Sequence, residues 1–234
     1  MPRPFKLQQF EVYHHRSPQA VGTDAILLGS YPKERNYHSI LEVGPGCGII
    51  TLMLAQKYPN ALIEAIELNP AATKEAQGNV LASPFADRIS IFEGDYLKWT
   101  KGSYDLIISN PPFFLDGIFS PEPTRQQARH IHAEKLEAWL SKMQGELNTS
   151  GEIVLILSPE SKERLVKHGA EIGLFLREEY IIHHQKGKKA KRYILCWTNT
   201  SVKTGKAKHL YLYQEDGKTR TREFSRWTAD YLLS

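Results

Sequence analysis

Cysteine is scarce in this chain: only Cys47 and Cys196 occur among its 234 residues. Two cysteines do not make the disulfide framework that stabilises small secreted proteins, and their scarcity fits a reducing compartment. Long apolar runs are also missing, because no stretch approaches the roughly 18 residues that a membrane helix needs. The first residues lack the apolar segment of a secretory signal. We therefore expect a cytoplasmic protein without membrane association, and nothing in the sequence implies an obligate protein partner.

The composition is that of an ordinary globular protein, with 41% hydrophobic and 24% charged residues. A chain of this length can bury a full core, so we expect a single domain over residues 1–234. Within it we expect an N-terminal extension or lid (1–36), a core (37–200) and a C-terminal extension (201–234).

Positive charge is concentrated near the C-terminus. Residues 183–226 contain twelve Lys or Arg and three Asp or Glu, a net charge of +9, whereas the whole chain carries +4. The remaining residues therefore sum to −5, so a basic segment follows a mildly acidic body. Aromatic side chains interleave with the basic ones, which favours binding of a polyanion over a merely solvated surface. The turn that carries Lys186, Lys188 and Lys189 is the main candidate contact.

Short apolar runs alternate with helical segments from residue 38 onward. Branched apolar runs bounded by turn residues predict buried strands at 39–43, 61–66, 88–92, 104–109, 152–157, 179–183 and 193–198, while 209–213 stays open. Helices are expected at 49–57, after Pro70, at 133–147, 159–171 and 225–233, and after a cap at Thr23 or Asp24. This alternation predicts an α/β fold: a mostly parallel sheet of seven strands with helices on both faces.

The motif Asn110-Pro111-Pro112-Phe113 follows the predicted strand at 104–109. Two consecutive prolines keep the backbone stiff and extended as it leaves the sheet. One amide side chain, carbonyls without competing N–H groups and one aromatic face thereby reach a single spot. Such a spot suits a flat group with an exocyclic amine: Asn110 and the Pro111 carbonyl accept its hydrogens, and Phe113 covers the ring. A proline-rich turn without function is the alternative on these residues alone.

The segment Gly44-Pro45-Gly46-Cys47-Gly48 joins the first predicted strand to a helix. Glycines let the backbone approach a ligand closely, and the helix N-terminus offers unpaired N–H groups. The dinucleotide fingerprint requires a further glycine where Ile49 stands. The spacing resembles instead the glycine loop of S-adenosylmethionine-dependent methyltransferases.

Two acids follow the next strands. Glu67 ends the strand at 61–66, where a carboxylate can accept both ribose hydroxyls of an adenine nucleoside, as in NAD and S-adenosylmethionine sites. Asp95 follows the strand at 88–92 and is placed to accept from an adenine amino group. A helix cap or a solvated turn acid is the alternative for each.

Taken in order, these stretches resemble the Rossmann-type class I methyltransferases that modify amino groups, whose strongest mark is Asn-Pro-Pro-Phe after the fourth strand. The whole chain is more closely similar to the bacterial tRNA adenine-N6 methyltransferases that act beside the anticodon of a valine tRNA. The matching stretches outside the shared core are 5–10, 21–29, 109–114, 125–130 and 224–233. One departure is Glu42, where many methyltransferases have Asp.

The resemblance implies a cofactor, a substrate and a mechanism. S-adenosylmethionine is the expected methyl donor, and tRNA is the expected partner. Adenine N6 is a poor nucleophile because its lone pair is delocalised into the ring. Accepting its hydrogens would turn that lone pair toward the methyl group, so positioning suffices and no general base is needed. The base would leave its stack to enter the pocket, with the catalytic positions at Asn110, Pro111, Pro112 and Phe113.

The resemblance also extends the set of binding residues. The segment 21–24, which includes Thr23, is an expected lid over the methionine end of the cofactor, and a helix cap is the alternative for the same residues. The expected cofactor residues are Thr23, Glu42, Gly44, Gly46, Gly48, Glu67, Asp95 and Asn110. Arg125 and Arg129 follow the catalytic loop and are candidate phosphate contacts, with a solvated helix start as the alternative.

Other functions compete with this interpretation. A protein glutamine methyltransferase uses the same Asn-Pro-Pro loop, and adenine in another RNA is a further substrate. A NAD-dependent oxidoreductase would need a hydride-transfer pair such as Tyr-x-x-x-Lys, which is missing. An RNA-binding module on an inactive methyltransferase fold would not need the intact glycine loop and Asn110.

We expect no metal site. The histidine pairs at 14–15, 130 with 132, and 183–184 are not spaced with Cys or acid ligands as a zinc site requires. Cys47 and Cys196 are expected to be core thiols and not nucleophiles.

Overall fold

A computed structural model describes residues 3–17, 20–31, 35–111 and 125–233, with the backbone alone for 125–133. Predicted features at Pro112 and Phe113 lie outside these residues. The strands are β1 (Phe5–Lys6), β2 (Glu11–Val12), β3 (Ser39–Val43), β4 (Leu62–Glu67), β5 (Ile89–Glu93), β6 (Tyr104–Ser109), β7 (Leu147–Leu157), β8 (Phe175–His183), β9 (Ala190–Thr198) and β10 (Lys208–Tyr211). The helices are α1 (Thr23–Ser30), α2 (Ile49–Lys57), α3 (Pro70–Leu81), α4 (Arg125–Gly145), α5 (Pro159–Glu171) and α6 (Arg222–Trp227).

Eight of these strands form one sheet in the order β10-β8-β9-β7-β6-β3-β4-β5. Strand β9 runs antiparallel to both of its neighbours, and every other pair is parallel. The carboxyl ends of all strands except β9 therefore meet at one edge, which we call the carboxyl edge. Strands β1 and β2 form a separate antiparallel pair.

The two faces of the sheet are buried by different helices. One apolar cluster joins Leu28 of α1 and Leu52 of α2 to the sheet residues Ile40 and Ile194. The other joins Leu140 of α4 and Leu165 of α5 to residues of the opposite face. Burial on both faces explains why β3 and β6 are continuous apolar runs, and it confirms the predicted sheet with helices on both sides.

Residues near the two ends of the chain pack together. The backbone N–H of Gln8 donates to the carbonyl of Tyr231 at 2.9 Å, and the side-chain amide of Gln8 donates to the carbonyl of Leu232 at 3.0 Å. The Tyr231 hydroxyl donates to the carbonyl of Met53 in α2. Trp227 Nε1 donates to the carbonyl of Leu27 in α1 at 3.2 Å. The C-terminal segment thus supports α1 and α2; the division into extension, core and extension stays a prediction.

Several element bounds differ from those predicted. Helix α4 begins at Arg125 instead of 133, and β8 begins at Phe175 instead of 179. The closing helix α6 ends at Trp227, so its prediction at 225–233 was largely wrong. The strand left open near 209 exists as β10 and adds an eighth strand beside β8. Gly22, and neither Thr23 nor Asp24, is the N-cap of α1.

Candidate active site

Most of the predicted site residues lie at the carboxyl edge, where β3, β4 and β6 end. Strands β3 and β6 are parallel neighbours, so the loop after Val43 and the residue after Ser109 start side by side. Next to them lies a cavity of about 600 Å³. Its walls come from residues 20–22, the start of α1 (23–25 and 27), the glycine loop (44–47) with 49 and 50, Asn110, and residues 182, 184, 191, 192, 212 and 213.

The glycine loop has a left-handed backbone. Gly44, Gly46 and Gly48 have φ angles of 73°, 57° and 82°. A side chain at Gly48 would place its Cβ 3.3 Å from the Cβ of Ala76, whereas Cβ atoms at Gly44 and Gly46 would meet nothing described within 4 Å. The first two glycines therefore serve the turn and leave space on the ligand side, and the third also permits close packing on α3.

Glu67 shapes this loop. Its Oε2 accepts the Gly46 N–H at 3.0 Å, and its Oε1 accepts the Asn69 N–H at 2.9 Å. The half-buried carboxylate thus joins the end of β4 to the glycine loop and to the start of α3. Each carboxylate oxygen has a second acceptor position, so ribose hydroxyls can still bind. Glu67 ends β4 at the carboxyl edge but is not among the residues that line the cavity, and its role with a cofactor stays a prediction.

Asp95 has a local partner. It is the N-cap of a short 3-10 turn at 96–98, and its Oδ1 accepts the Leu97 N–H at 3.0 Å. This is the cap interpretation that the sequence left open, although one cap bond leaves Oδ2 for another donor. Asp95 follows β5, and β5 pairs with β4, so Asp95 and Glu67 end neighbouring strands.

Glu42 is completely buried and does not line the cavity described here. Thr51 of α2 donates its hydroxyl to Glu42 Oε2, and among the described residues Oε1 has no hydrogen-bond partner. Burial raises the pKa of Glu42 to about 8 although the Thr51 hydrogen bond lowers it, and the nearby Glu67 charge raises it further. The contact ties β3 to α2 on either side of the glycine loop. A direct contact with a cofactor stays a prediction.

Hydrogen bonds to helix α3 hold residues 15–17 of the N-terminal segment in place. Glu75 of α3 accepts the N–H groups of His15, Arg16 and Ser17. Burial alone would raise the pKa of Glu75, but these hydrogen bonds hold it below its usual value. Thr23, the predicted lid residue, begins α1 in the cavity wall, six residues after Ser17.

The buried side-chain oxygen of Asn110 is the feature of this site most directly related to a reaction. Its Oδ1 is buried and has no hydrogen-bond partner among the described residues, yet Asn110 lines the cavity. A buried amide oxygen without a donor is costly, since such groups are nearly always paired. An N–H donor of a bound ligand would remove that cost. Pro111 follows and is buried, whereas Pro112 and Phe113 lie outside the described residues.

Sequence reasoning missed one wall of the cavity. His184, Lys191, Arg192 and Tyr213 line it, and Arg192 Nε donates to Asp24 Oδ2 at 2.7 Å. The signal for them was the basic charge of residues 183–226, but the strand pairing that turns them toward Asn110 is not visible in the sequence.

The predicted RNA contacts are distributed as follows. Lys186, Lys188 and Lys189 are exposed in the hairpin between β8 and β9, which projects from the carboxyl edge. Arg125 and Arg129 lie in the first turns of α4, where the structure describes no side chains. None of these contacts is tested by the fold.

Both cysteines are buried, as expected of core thiols. Burial raises the pKa of Cys47 to about 12, so its thiol is protonated at neutral pH and is a poor nucleophile. No group of three or more His, Cys, Asp or Glu among the described residues could hold a metal ion; the expectation of no metal stays a prediction. In the described part of the chain, no helix is both long and apolar enough to span a membrane.

Comparison with known proteins identifies the family. The family model described as "Methyltransferase small domain" matches residues 20–165. The protein named tRNA1(Val) (adenine(37)-N6)-methyltransferase from Parabacteroides distasonis is 34% identical over 232 residues, covering 98% of this chain and 97% of its own. The protein of the same name from Bacteroides thetaiotaomicron is 32% identical over 229 residues, covering 94% and 96%.

Solved structures agree on the fold. A predicted O-methyltransferase from Agrobacterium tumefaciens has a TM-score of 0.66 at 18% identity, covering 91% of this chain and 98% of its own. A methyltransferase from Pyrococcus furiosus has a TM-score of 0.58 at 20% identity, covering 82% and 90%. These neighbours and the sheet confirm the Rossmann-like methyltransferase fold. The chain belongs to the methyltransferase small domain family and, within it, to the group of bacterial proteins named tRNA1(Val) (adenine(37)-N6)-methyltransferase.

Proposed function

We propose that this protein transfers a methyl group from S-adenosylmethionine to N6 of an adenosine in tRNA, next to the anticodon of a valine tRNA. The observation that carries the proposal is Asn110, which lines the cavity beside the glycine loop and whose buried Oδ1 has no hydrogen-bond partner among the described residues. The names of full-length relatives at 32–34% identity support the choice of base and RNA.

The site residues fit the cofactor. The left-handed glycines leave open space beside the loop, and α2 begins directly after it at Ile49. Glu67 keeps acceptor positions for ribose hydroxyls. When bound, S-adenosylmethionine supplies a methyl group on a sulfonium, which needs only in-line attack. Asn110, the glycine loop and α1 share one cavity, so a donor held by the loop and a base held by Asn110 would meet there.

Asn110 would orient the adenine amine. Its Oδ1 accepts one N6 hydrogen and the Pro111 carbonyl accepts the other, which turns the nitrogen lone pair toward the methyl group. Bond formation makes N6 positive, and the two oxygens stabilise that charge until a proton leaves to water. Rate enhancement comes from orientation and charge stabilisation. Phe113 is the proposed stacking partner of the base.

The cavity wall formed by the start of β9 suits an RNA substrate. Lys191 and Arg192 line it, and Lys186, Lys188 and Lys189 lie in the same hairpin. Phosphate contacts of this kind position a nucleic acid without reading its sequence. A release-factor amide, the main alternative substrate, gives no reason for this charge.

The test is transfer of labelled methyl from S-adenosylmethionine to unmodified bulk tRNA, followed by nucleoside analysis. We expect N6-methyladenosine in the digest, and sequencing of the labelled tRNA then identifies the site. Bound cofactor without incorporation into tRNA would refute the proposal and direct the search to release factors and ribosomal RNA.

A further inference from the structure

Two imidazole rings form a nearly flat pair at the outer strands of the sheet. His183 ends β8 and His209 lies in β10 beside it. His183 Nε2 and His209 Nδ1 are 3.0 Å apart, while the ring centroids are 5.2 Å apart and the planes differ by 21°. The hydrogen bond spans most of the centroid distance, so the rings meet edge to edge and do not lie on top of each other. Their faces combine into one broad aromatic surface.

Two hydrogen bonds determine which ring nitrogens of the pair carry protons. His183 Nδ1 lies 2.8 Å from the carbonyl oxygen of Lys188, which can only accept, so Nδ1 carries a proton. Nε2 of the neutral ring must then accept the proton on His209 Nδ1. The chain of contacts runs from the lysine hairpin through His183 to His209. It orients both rings before any ligand arrives.

Tyr211 stacks against the pair from one side, offset from the His183 ring. Its ring lies 5.0 Å from His183 and 6.3 Å from His209, with interplanar angles of 26° and 13°. His209 is exposed and the other two side chains are half-buried. The alternating residues Ile182 and Leu210 point to the other face and are buried. An aromatic group of this size facing solvent is not explained by packing of the core.

The aromatic surface lies at the edge where chemistry is proposed, on the face of β8 opposite to that of Ile182, which lines the cavity. His183 and Tyr211 are paired at the carboxyl ends of β8 and β10, the edge at which β6 delivers Asn110. His184, the residue directly after β8, lines the cavity, and its ring centroid lies 4.8 Å from that of Tyr213. Between His183 of the aromatic surface and Lys191 of the cavity wall, the chain carries three exposed lysines: Lys186, Lys188 and Lys189.

We propose that His183, His209 and Tyr211 form a stacking platform for an unpaired nucleobase of the RNA whose neighbouring adenosine enters the cavity. This rests on the proposed function and adds residues that it does not use. Aromatic faces bind bases with little regard to sequence, and the adjacent lysines attract the phosphates that join those bases. The polar edges of the imidazoles and the surrounding positive charge favour a nucleic acid over an apolar protein surface.

The test uses His209, the exposed member. His209→Ala removes half of the flat pair, whereas His209→Phe retains a ring that can stack but cannot hydrogen-bond to His183. Phe175→Ala is the matched control, because Phe175 is an exposed aromatic residue at the opposite end of β8. The probe is a synthetic RNA hairpin with the anticodon-arm sequence of a valine tRNA, in which 2-aminopurine replaces the base beside the target adenosine.

We expect His209→Ala to weaken binding of the hairpin by about tenfold and to abolish the quenching of 2-aminopurine that stacking causes. His209→Phe should retain most of the affinity for the hairpin and most of the quenching. Phe175→Ala should match the unmodified protein in both quantities. The Kd for S-adenosylmethionine should stay unchanged in all three variants. Equal binding by His209→Ala and the unmodified protein would overturn the platform. So would equal losses in His209→Ala and His209→Phe.

The outcome separates this proposal from the proposed function. Loss of quenching in His209→Ala, together with no methylation of any tRNA by the unmodified protein, would keep the platform and refute the activity. Methylation that is indifferent to His209→Ala at subsaturating tRNA would keep the activity and refute the platform.

Discussion

Arg192 of β9 and Asp24 of α1 form an ion pair of 2.7 Å in the wall of the cavity, joining residues 168 positions apart in the chain. Both side chains are less than one-third exposed. The pair is a side-chain link between the first turn of α1, which carries Thr23, and the basic hairpin strand.

We expect Asp24 and Arg192 to be energetically coupled. In a double-mutant cycle with Asp24→Asn and Arg192→Gln, each single variant should lose stability, and the coupling should be about 1 kcal/mol. Chemical denaturation measures the free energies of unfolding. Additive losses would mean that the pair contributes nothing to holding α1 against β9.

Asn110→Ala should abolish methyl transfer with little effect on cofactor binding. The variant removes an acceptor that acts on the amine, so we expect kcat to fall on the order of a hundredfold or more. Isothermal titration with S-adenosylmethionine and a single-turnover methylation assay measure the two quantities. A large loss of cofactor affinity would show that Asn110 serves the cofactor instead.

Glu67→Gln should weaken binding of S-adenosylmethionine. The amide provides one acceptor oxygen in place of two, so the N–H groups of Gly46 and Asn69 and the ribose hydroxyls compete for it. We expect the Kd to rise by about tenfold. Glu93→Gln is the control, since Glu93 pairs with Glu67 in register on β5 but is exposed. Equal affinities of the two variants would remove Glu67 from the cofactor site.

Glu42 should make stability depend on pH. Its pKa in the folded protein, about 8, lies above the ordinary value of 4.5, so between these pH values the folded state binds more protons than the unfolded state. Stability contributed by this carboxyl is full below pH 4.5 and is lost as pH rises toward 8. Glu42→Gln cannot titrate. Its free energy of unfolding relative to the unmodified protein should therefore rise by about 1 kcal/mol per pH unit in this window. A constant difference would disprove the shift.

Neutralising the hairpin should reduce the salt dependence of RNA binding. Replacing Lys186, Lys188 and Lys189 by Gln should lower the slope of log K against log salt by up to roughly 2, because fewer counterions are released. Lys203→Gln with Lys206→Gln is the control. These two lysines lie between the end of β9 and the start of β10, which places them at the opposite edge of the sheet. An unchanged slope in the hairpin variant would mean that these lysines form a solvated surface turn and do not contact RNA.

The sequence predicted the centre of the sheet better than its margins. Strands β3 and β6 are apolar throughout because both faces are covered, and such runs are easy to recognise. Strand β8 was predicted short because Arg177 and Glu178 interrupt it, yet Glu178 accepts a hydrogen bond from Tyr31 and so belongs to a packed face. Helix α4 was predicted late because its first turns are polar, and local propensity does not reveal what tertiary contacts add.

The candidate site divides in the same way. Gly44, Gly46 and Asn110 follow buried strands, so adjacency at the carboxyl edge of a parallel sheet brings them together. Arg192 and Tyr213 reach the cavity only through the pairing of β8 with β9 and β10, which depends on long-range register. Glu67 is a predicted ligand residue that also accepts two backbone hydrogen bonds, and no pattern in the sequence indicated these contacts.

The cavity has walls from both the N-terminal and the C-terminal parts of the chain, and this affects when it can exist during synthesis. A growing chain that has passed the glycine loop and Asn110 still lacks Arg192 and Tyr213 in the wall, and Trp227 and Tyr231 beneath α1 and α2. These walls and supports are therefore all in place only after residues up to 231 have emerged from the ribosome. A product truncated before Arg192 would carry the glycine loop and Asn110 without this part of the cavity wall.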